Sequence, residues 1–266
     1  MLSDVHTYSF IHYLGAKPIT MKLKAFYFLL SALVLVSCGG EKKDSATETN
    51  ETTEETPEWV SLFDGETFNG WKTYGQDTMS DSWSIVDGAI ACNAGIGEEN
   101  VGFDIGSLVT TSTYGNFEFE LEYKIAKGGN SGIFYHVVES EEYGTDYTTG
   151  PEYQVLDDEF SRSEAEPYKM VASNYAMHAP SESKKPNPHM EWNQVKIIYN
   201  NGHVEHWLNG EKVLEFEEGS ADWLAKKAAG KWANSDTYAK YKEGAFSFQN
   251  HGDEVHFRNI RVKELK

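Results

Sequence analysis

The chain has 266 residues, a formal net charge of −19 and 14% aromatic residues. Residues 1–37 hold three Lys and one Asp, so the rest carries about −21. That balance excludes nucleic acid as a partner, because phosphate contacts need a basic surface. It also excludes electrostatic adhesion to anionic lipid, whereas a neutral ligand such as a sugar is not repelled.

Lys22 and Lys24 precede the apolar run 25–36, which ends in Leu35-Val36-Ser37-Cys38. A basic start, a short apolar stretch and a small-residue cleavage site read as a secretory signal. The run is shorter than the ~20 residues that span a bilayer. A cysteine at the cut makes the segment resemble a bacterial lipobox, with 21–37 as signal peptide and Cys38 as the lipidated residue; an ordinary signal peptide with an incidental Cys is the alternative. Translation is expected to begin at Met21, with 1–20 a misassigned start. The protein is then expected in the cell envelope, held to the membrane through lipid alone, and Gly39 and Gly40 favour the outer membrane.

The stretch 41–58 has six Glu and five Thr and no aromatic or large aliphatic residue. It cannot bury enough apolar surface to fold, so 38–57 reads as a charged, extended tether. Beyond it lie all seven Trp and one further cysteine, Cys92. A lone interior Cys gives no disulfide framework, so the core of a 58–266 domain must hold the fold.

Within that domain the hydrophobic period is two. Phe117, Phe119, Leu121, Tyr123 and Ile125 alternate with Glu118, Glu120, Glu122 and Lys124, which predicts a strand with one buried and one wet face. Segments 195–200, 203–208 and 211–217 are joined at Asn201-Gly202 and Asn209-Gly210. Both residues of such a pair accept the positive φ of a type I′ turn, so an antiparallel meander is expected. Further strands are predicted near 60–63, 82–93, 107–111, 131–138, 152–157, 244–249 and 254–264. Helix is expected at 221–231 and at 236–241. Many short strands with helix as decoration and no fixed repeat predict an all-β sandwich or jelly roll.

Polar residues opposite a core face can line a ligand groove. Tyr153 and Val155 read as core, leaving Glu152 and Gln154 on the other face. Phe246 and Phe248 leave Ser247 and Gln249, and Val255 and Phe257 leave His256 and Arg258. The alternation slips after Arg258, predicting a bulge near Asn259. Plain solvated sheet surface is the competing reading of all three strands. Asp157-Asp158-Glu159 reads as a solvated loop that lacks calcium-loop spacing, so no cofactor is expected, with Ca²⁺ as the minor alternative. His203 and His206 read as surface residues, and His178 fits either a site or plain structure. No GxSxG, HExxH, P-loop or dinucleotide fingerprint is present.

A series of short motifs then occurs in order: Leu62-Phe63-Asp64-Gly65, Gly70-Trp71, Trp83 to Gly88, Leu108-Val109-Thr110, Tyr114-Gly115-Asn116-Phe117, Asn130-Ser131-Gly132-Ile133-Phe134, Pro151 to Asp157, Glu191-Trp192-Asn193, Leu208-Asn209-Gly210, Gln249-Asn250-His251-Gly252 and Phe257-Arg258-Asn259-Ile260. Through them nearly all of 58–266 resembles the 3-keto-disaccharide hydrolase family. The resemblance implies a concanavalin-like jelly roll of two antiparallel sheets and action on 3-keto-glycosides. His136 stands where the family often has Arg.

A ketone at C3 acidifies the C2 proton, so a base can form an enolate that expels the C1 substituent before water adds back. That chemistry needs a base, an enolate donor and an acid. The catalytic candidates are Glu152 as base or acid, His251 and Arg258 on the enolate, and His136 as a second base. Asn130, Gln154, Gln249, Tyr153, Asp157 and His256 are the candidate substrate contacts; Asn130 and His251 rest on the motif match alone. A lectin-like glycan-binding module, a classical glycosidase and a structural envelope protein are the competing classes. The oligomeric state is left open by the sequence.

Overall fold

The computed structural model describes residues 58–92, 106–159 and 166–266. The expected signal peptide, Cys38 and the tether lie outside them. No helix among the described residues is long and apolar enough to cross a membrane.

Among the described residues, thirteen strands form two antiparallel sheets. The larger sheet has the order β11 (Glu211–Glu217), β10 (His203–Leu208), β9 (Asn193–Asn200), β6 (Phe117–Ile125), β13 (Val255–Glu264), β4 (Ala89–Cys92) and β3 (Trp83–Val86), with β1 (Val60–Ser61) beside β13. The smaller sheet runs β2 (Trp71–Thr73), β5 (Leu108–Thr110), β12 (Ala245–Phe248), β7 (Asn130–Val137) and β8 (Glu152–Leu156). Phe119, Tyr123, Val195, Ile197 and Phe257 of the first meet Ile133, Tyr153, Val155, Phe246 and Phe248 of the second in one core. Phe119 stacks on Phe246 at 3.9 Å and Phe248 on Phe257 at 4.2 Å between ring centroids. The expected jelly-roll sandwich is the architecture found.

Both Asn-Gly turns have the positive φ that their residue types permit: 51° and 94° at Asn201 and Gly202, 50° and 83° at Asn209 and Gly210. They set β9 and β11 on either side of β10. The bulge expected near Asn259 is present, with the register shifting between Arg258 and Arg261 and Asn259 at φ 54°. Helix α1 (Ala221–Ala229) starts at Ser220, whose side chain accepts from the Trp223 N–H. The helix expected at 236–241 does not form; those residues make turns. β2, which the sequence reading missed, is only three residues long and carries no readable period.

A second bulge redirects β7. Ala245 pairs with Val137 and Ser247 with Phe134, so two residues of β7, Tyr135 and His136, oppose Phe246 alone. His136 takes φ 55°. Tyr135 and His136 therefore both turn inward, and Val137 moves to the outer face with Phe134, Val109 and Ala245.

Candidate active site

The pairing of the smaller sheet decides which outward side chains are neighbours. Phe134 faces Glu152 and Gly132 faces Gln154 across β7 and β8. Ser247 faces Phe134 across β12 and β7, and the Gln249 N–H donates to the Gly132 carbonyl at 2.9 Å. Because Ile133, Tyr153, Val155, Phe246 and Phe248 point into the core, Glu152, Gln154, Ser247 and Gln249 share the outer face. All four are buried.

Gly132 is what lets Glu152 lie here. A β-carbon at 132 would come within 2.3 Å of Glu152 Oε1 and 2.9 Å of Cδ. The side chain thus lies across the backbone of the neighbouring strand, towards Gln249. The turn 146–148 crosses the same face. Asp146, 1% exposed, accepts from the Ser247 hydroxyl at 2.7 Å and from the Tyr147 N–H at 2.8 Å.

Segment 172–178 runs along the free side of β8. The Tyr175 N–H donates to the Glu152 carbonyl, and burial first, then the Glu152 charge, pushes the Tyr175 phenol up. Lys231 reaches over this region, with its Nζ 4.7 Å from the Tyr175 ring centre, 4.6 Å from Trp232 and 5.4 Å from Tyr147. At the other end, the loop after β12 is pinned to the sheet, since the Asn130 N–H donates to Asp253 Oδ2 at 3.0 Å. His251 lies in that loop, two residues beyond Gln249.

Glu152, Gln154, Gln249, Asn130 and His251 therefore belong to one face and its rim. The other expected residues do not join them. Arg258 and His256 extend from the outer face of the larger sheet, on the opposite side of the sandwich. There Arg258 bonds Glu122 at 2.7 Å and stacks on Trp192 at 3.9 Å, while His256 meets Glu254. His136 is buried, edge-on to Phe117 and Tyr199, with Nε2 2.9 Å from the Gly115 carbonyl. Burial lowers its pKa to about 4. Tyr153 is fully buried and its hydroxyl donates to the Trp207 carbonyl. Asp157 accepts the Gly128 N–H and shapes the loop before β7, and Asp158 bonds Lys184 and the Val171 N–H, so neither is a plain solvated loop residue. His206, read as surface, is buried because the β10 alternation puts it between Val204 and Leu208 on the core side.

Asp146, Tyr147, Tyr175 and Lys231 were missed. They come from turns, where no period marks a face.

Two other clusters lie on the far sheet. A groove of about 690 Å³ is lined by residues including Trp59, Glu120, Gln194, Lys196, Trp207 and Arg261, but Glu120 is bonded to Arg261 and Lys196 sits 4.0 Å over Trp207. His203, Glu205 and Glu215 place ligand atoms within 4.8 Å of one another, yet the Lys212 ammonium already bonds both glutamates. Neither offers an uncommitted carboxylate to a substrate.

Residues 58–263 match the family described as 3-keto-alpha-glucoside-1,2-lyase-like domain. The chain belongs to that family. It is 35% identical to a 3-keto-disaccharide hydrolase of Bacteroides thetaiotaomicron, over 91% of this chain and 99% of that one. Two solved structures from Parabacteroides distasonis, both named provisionally as glycosyl hydrolases, are similar. One is 38% identical with a TM-score of 0.70, over 78% of this chain and 94% of that one. The other is 24% identical with a TM-score of 0.61, over 78% and 100%. An inactivated β-agarase B in complex with agaro-octaose shares the fold alone, at 10% identity and a TM-score of 0.51, over 79% and 94%.

Proposed function

We propose that this protein is a glycoside-cleaving enzyme acting on 3-keto-disaccharides, with Glu152 moving the C2 proton. The observation that carries the reading is the Glu152 carboxylate, buried on an outer sheet face over Gly132 with Gln154 and Gln249 as neighbours. A buried carboxylate on the outward side of a strand is a poor structural element and a serviceable base. Family membership and the Bacteroides relative's name support the substrate class.

In this mechanism Glu152 takes the C2 proton. The C2–H electron pair forms the C2–C3 double bond and the C3 carbonyl oxygen becomes an enolate. Return of that pair expels the glycosidic oxygen from C1, which takes up a proton, with His251 on the rim as its source. Water then adds its hydroxyl at C1 and a proton returns to C2, so the net reaction is hydrolysis. Gln154, Gln249 and Asn130 hold sugar hydroxyls. The two spaced carboxylates of ordinary glycosidases are not required.

Asp146 favours one second reading, a classical glycosidase pair with Glu152. Both its oxygens already accept bonds, from Ser247 and Tyr147, which suits a fixed structural carboxylate better. Incubation with a 3-keto-disaccharide beside its parent sugar separates the two. Release of monosaccharide from the keto form alone supports C2 chemistry; release from both supports the classical pair; binding without release supports a lectin-like module. We also propose a cell-envelope location through a lipid on Cys38, tested by radiolabelled palmitate incorporation into wild type and Cys38→Ala.

A further inference from the structure

The proposed chemistry builds negative charge on a ketone oxygen in a groove that already holds the carboxylates of Glu152 and Asp146. A protein with a formal charge of −19 offers that oxygen no help from its overall field. A hydrogen-bond donor placed beside the base is needed. Several polar groups of this face are already engaged. The Ser247 hydroxyl donates to Asp146, the Gln154 amide donates to the Lys169 carbonyl at 3.3 Å, and the Lys169 ammonium bonds Glu166. Arg258 is on the wrong side of the sandwich.

We propose that the Tyr175 hydroxyl is the catalytic donor of this groove, bonding the C3 oxygen of the 3-keto sugar as the enolate forms. The inference rests on the hydrolase reading and names a residue that reading lacks. Register places Tyr175 there. Tyr153 pairs with Asn174, and two bonds bracket the pair: the Tyr175 N–H donates to the Glu152 carbonyl and the Gln154 N–H to the Ser173 carbonyl, both at 3.1 Å. Residue 175 therefore stands opposite residue 152. Tyr153 and Asn174 are fully buried, and the Asn174 amide oxygen accepts from the core residue Tyr238 at 3.1 Å. Their chain neighbours Glu152 and Tyr175 take the outer face, with β-carbons about 5 Å apart. On its other side Glu152 pairs with Phe134, which offers no side-chain donor. The Tyr175 ring lies 4.7 Å from Lys231 Nζ, and Tyr147, of the turn that crosses the groove, meets the same ammonium at 5.4 Å. Among the described residues, no hydrogen bond holds the Tyr175 hydroxyl. Burial and the Glu152 charge keep that phenol protonated, with Lys169 opposing and Glu166 adding to them, so it is a donor at neutral pH. C2 and C3 are adjacent in the sugar ring, so a base and a donor side by side on one sheet face meet both at one ring edge. Glu152 takes the C2 proton, the C2–H pair forms the C2–C3 double bond, and the displaced carbonyl pair rests on the C3 oxygen under the Tyr175 O–H. The phenol keeps its proton, and the pair returns when the C1–O bond breaks.

The test compares wild type and Tyr175→Phe in two assays. One is release of monosaccharide from a 3-keto-disaccharide. The other is exchange of the C2 proton with deuterated water, followed by NMR, in a 1-deoxy-3-keto sugar, which has no group to expel. Tyr175→Phe is expected to lose roughly 100-fold in both rates, with KM changed far less and the melting temperature unmoved, because one donor to a developing oxyanion is worth about that much. 3-Fluorotyrosine at position 175 is a more acidic phenol and should move the alkaline limb of the kcat profile to lower pH. A ring with a merely structural role would leave that limb in place, and such a result overturns the proposal. Exchange in Tyr175→Phe within threefold of wild type also overturns it, whatever happens to sugar release. A wild type that exchanges the C2 proton but releases no sugar removes the hydrolase reading alone, and the proposal stands if that exchange falls in Tyr175→Phe. A wild type that catalyses neither overturns both.

Discussion

Glu152 and Gly132 form a single unit of the site: the carboxylate of one lies where the side chain of the other would be. A β-carbon on Gly132 would sit 2.3 Å from Oε1, 2.9 Å from Cδ and 3.0 Å from Cγ. The glycine backbone there has no positive φ, so alanine fits the strand and only the space is missing. Gly132→Ala should therefore fold, melt close to wild type and displace the Glu152 side chain. A misplacement of about 1 Å is expected to lower kcat roughly 100-fold. Steady-state kinetics beside a thermal melt checks this, and wild-type kcat would mean the carboxylate does not work from this position.

Glu152→Gln keeps size and burial but removes the proton acceptor. Activity on a 3-keto-disaccharide should fall roughly 1,000-fold, within the usual range for a general base. Near-native turnover in a folded Glu152→Gln protein would end the assignment.

Arg258 gives the contrasting expectation. Its guanidinium is spent on Glu122 and the Trp192 ring, on the face away from Glu152. Arg258→Ala should keep kcat/KM within about twofold and cost at most about 1 kcal/mol, as exposed ion pairs do. A large loss of activity at unchanged stability would put chemistry on the larger sheet.

These two residues show how far the sequence carries. Alternation along a strand separates core side from outer side, and it did so correctly for Glu152, Gln154, His256 and Arg258. It does not say to which of two sheets a strand belongs, because that is fixed by tertiary pairing, of β8 with the nearby β7 and of β13 with the distant β6. Hence Arg258 and Glu152, both outward, were grouped although the sandwich lies between them. His136 failed for a local reason. It is placed outward by strict period two, but the bulge opposite Phe246 turns it in, and Gly244 leaves the room, since a β-carbon there would meet His136 backbone at 2.4 Å. The meander was legible because Asn-Gly pairs encode their own turn. Lys231, Tyr175 and Asp146 were not, since they reach the groove from turns placed by tertiary contacts.

Ser247→Ala tests the support of the groove floor. It removes the hydroxyl that bonds buried Asp146 at 2.7 Å. Loss of a partner to a buried carboxylate costs about 1–3 kcal/mol. Denaturant unfolding should show that loss, and a midpoint equal to wild type would mean Asp146 does not depend on Ser247.

Stability should fall as the solution is made acid through the histidine range. Burial lowers the pKa of His136 and of His206 from 6.5 to about 4, and lowers His178 as well. Facing His136, Lys242 lowers the value further while Gly115 and Glu243 raise it; for His206 the Ala172 carbonyl raises it and His178 lowers it. Between pH 6.5 and 4 the unfolded chain binds protons that the folded chain refuses. Stability is thus complete above 6.5 and declines as pH drops towards 4, by roughly 3 kcal/mol for each of the two most buried rings. Glu218 opposes this just above its ordinary 4.5, because burial raises its carboxyl. The pair still exerts a large effect on a total of about 5–15 kcal/mol. Urea midpoints from pH 7 to 4 should drop steadily, and His206→Asn, which cannot take up that proton, should flatten part of the slope. Midpoints independent of pH over that window would show that these rings are not held neutral.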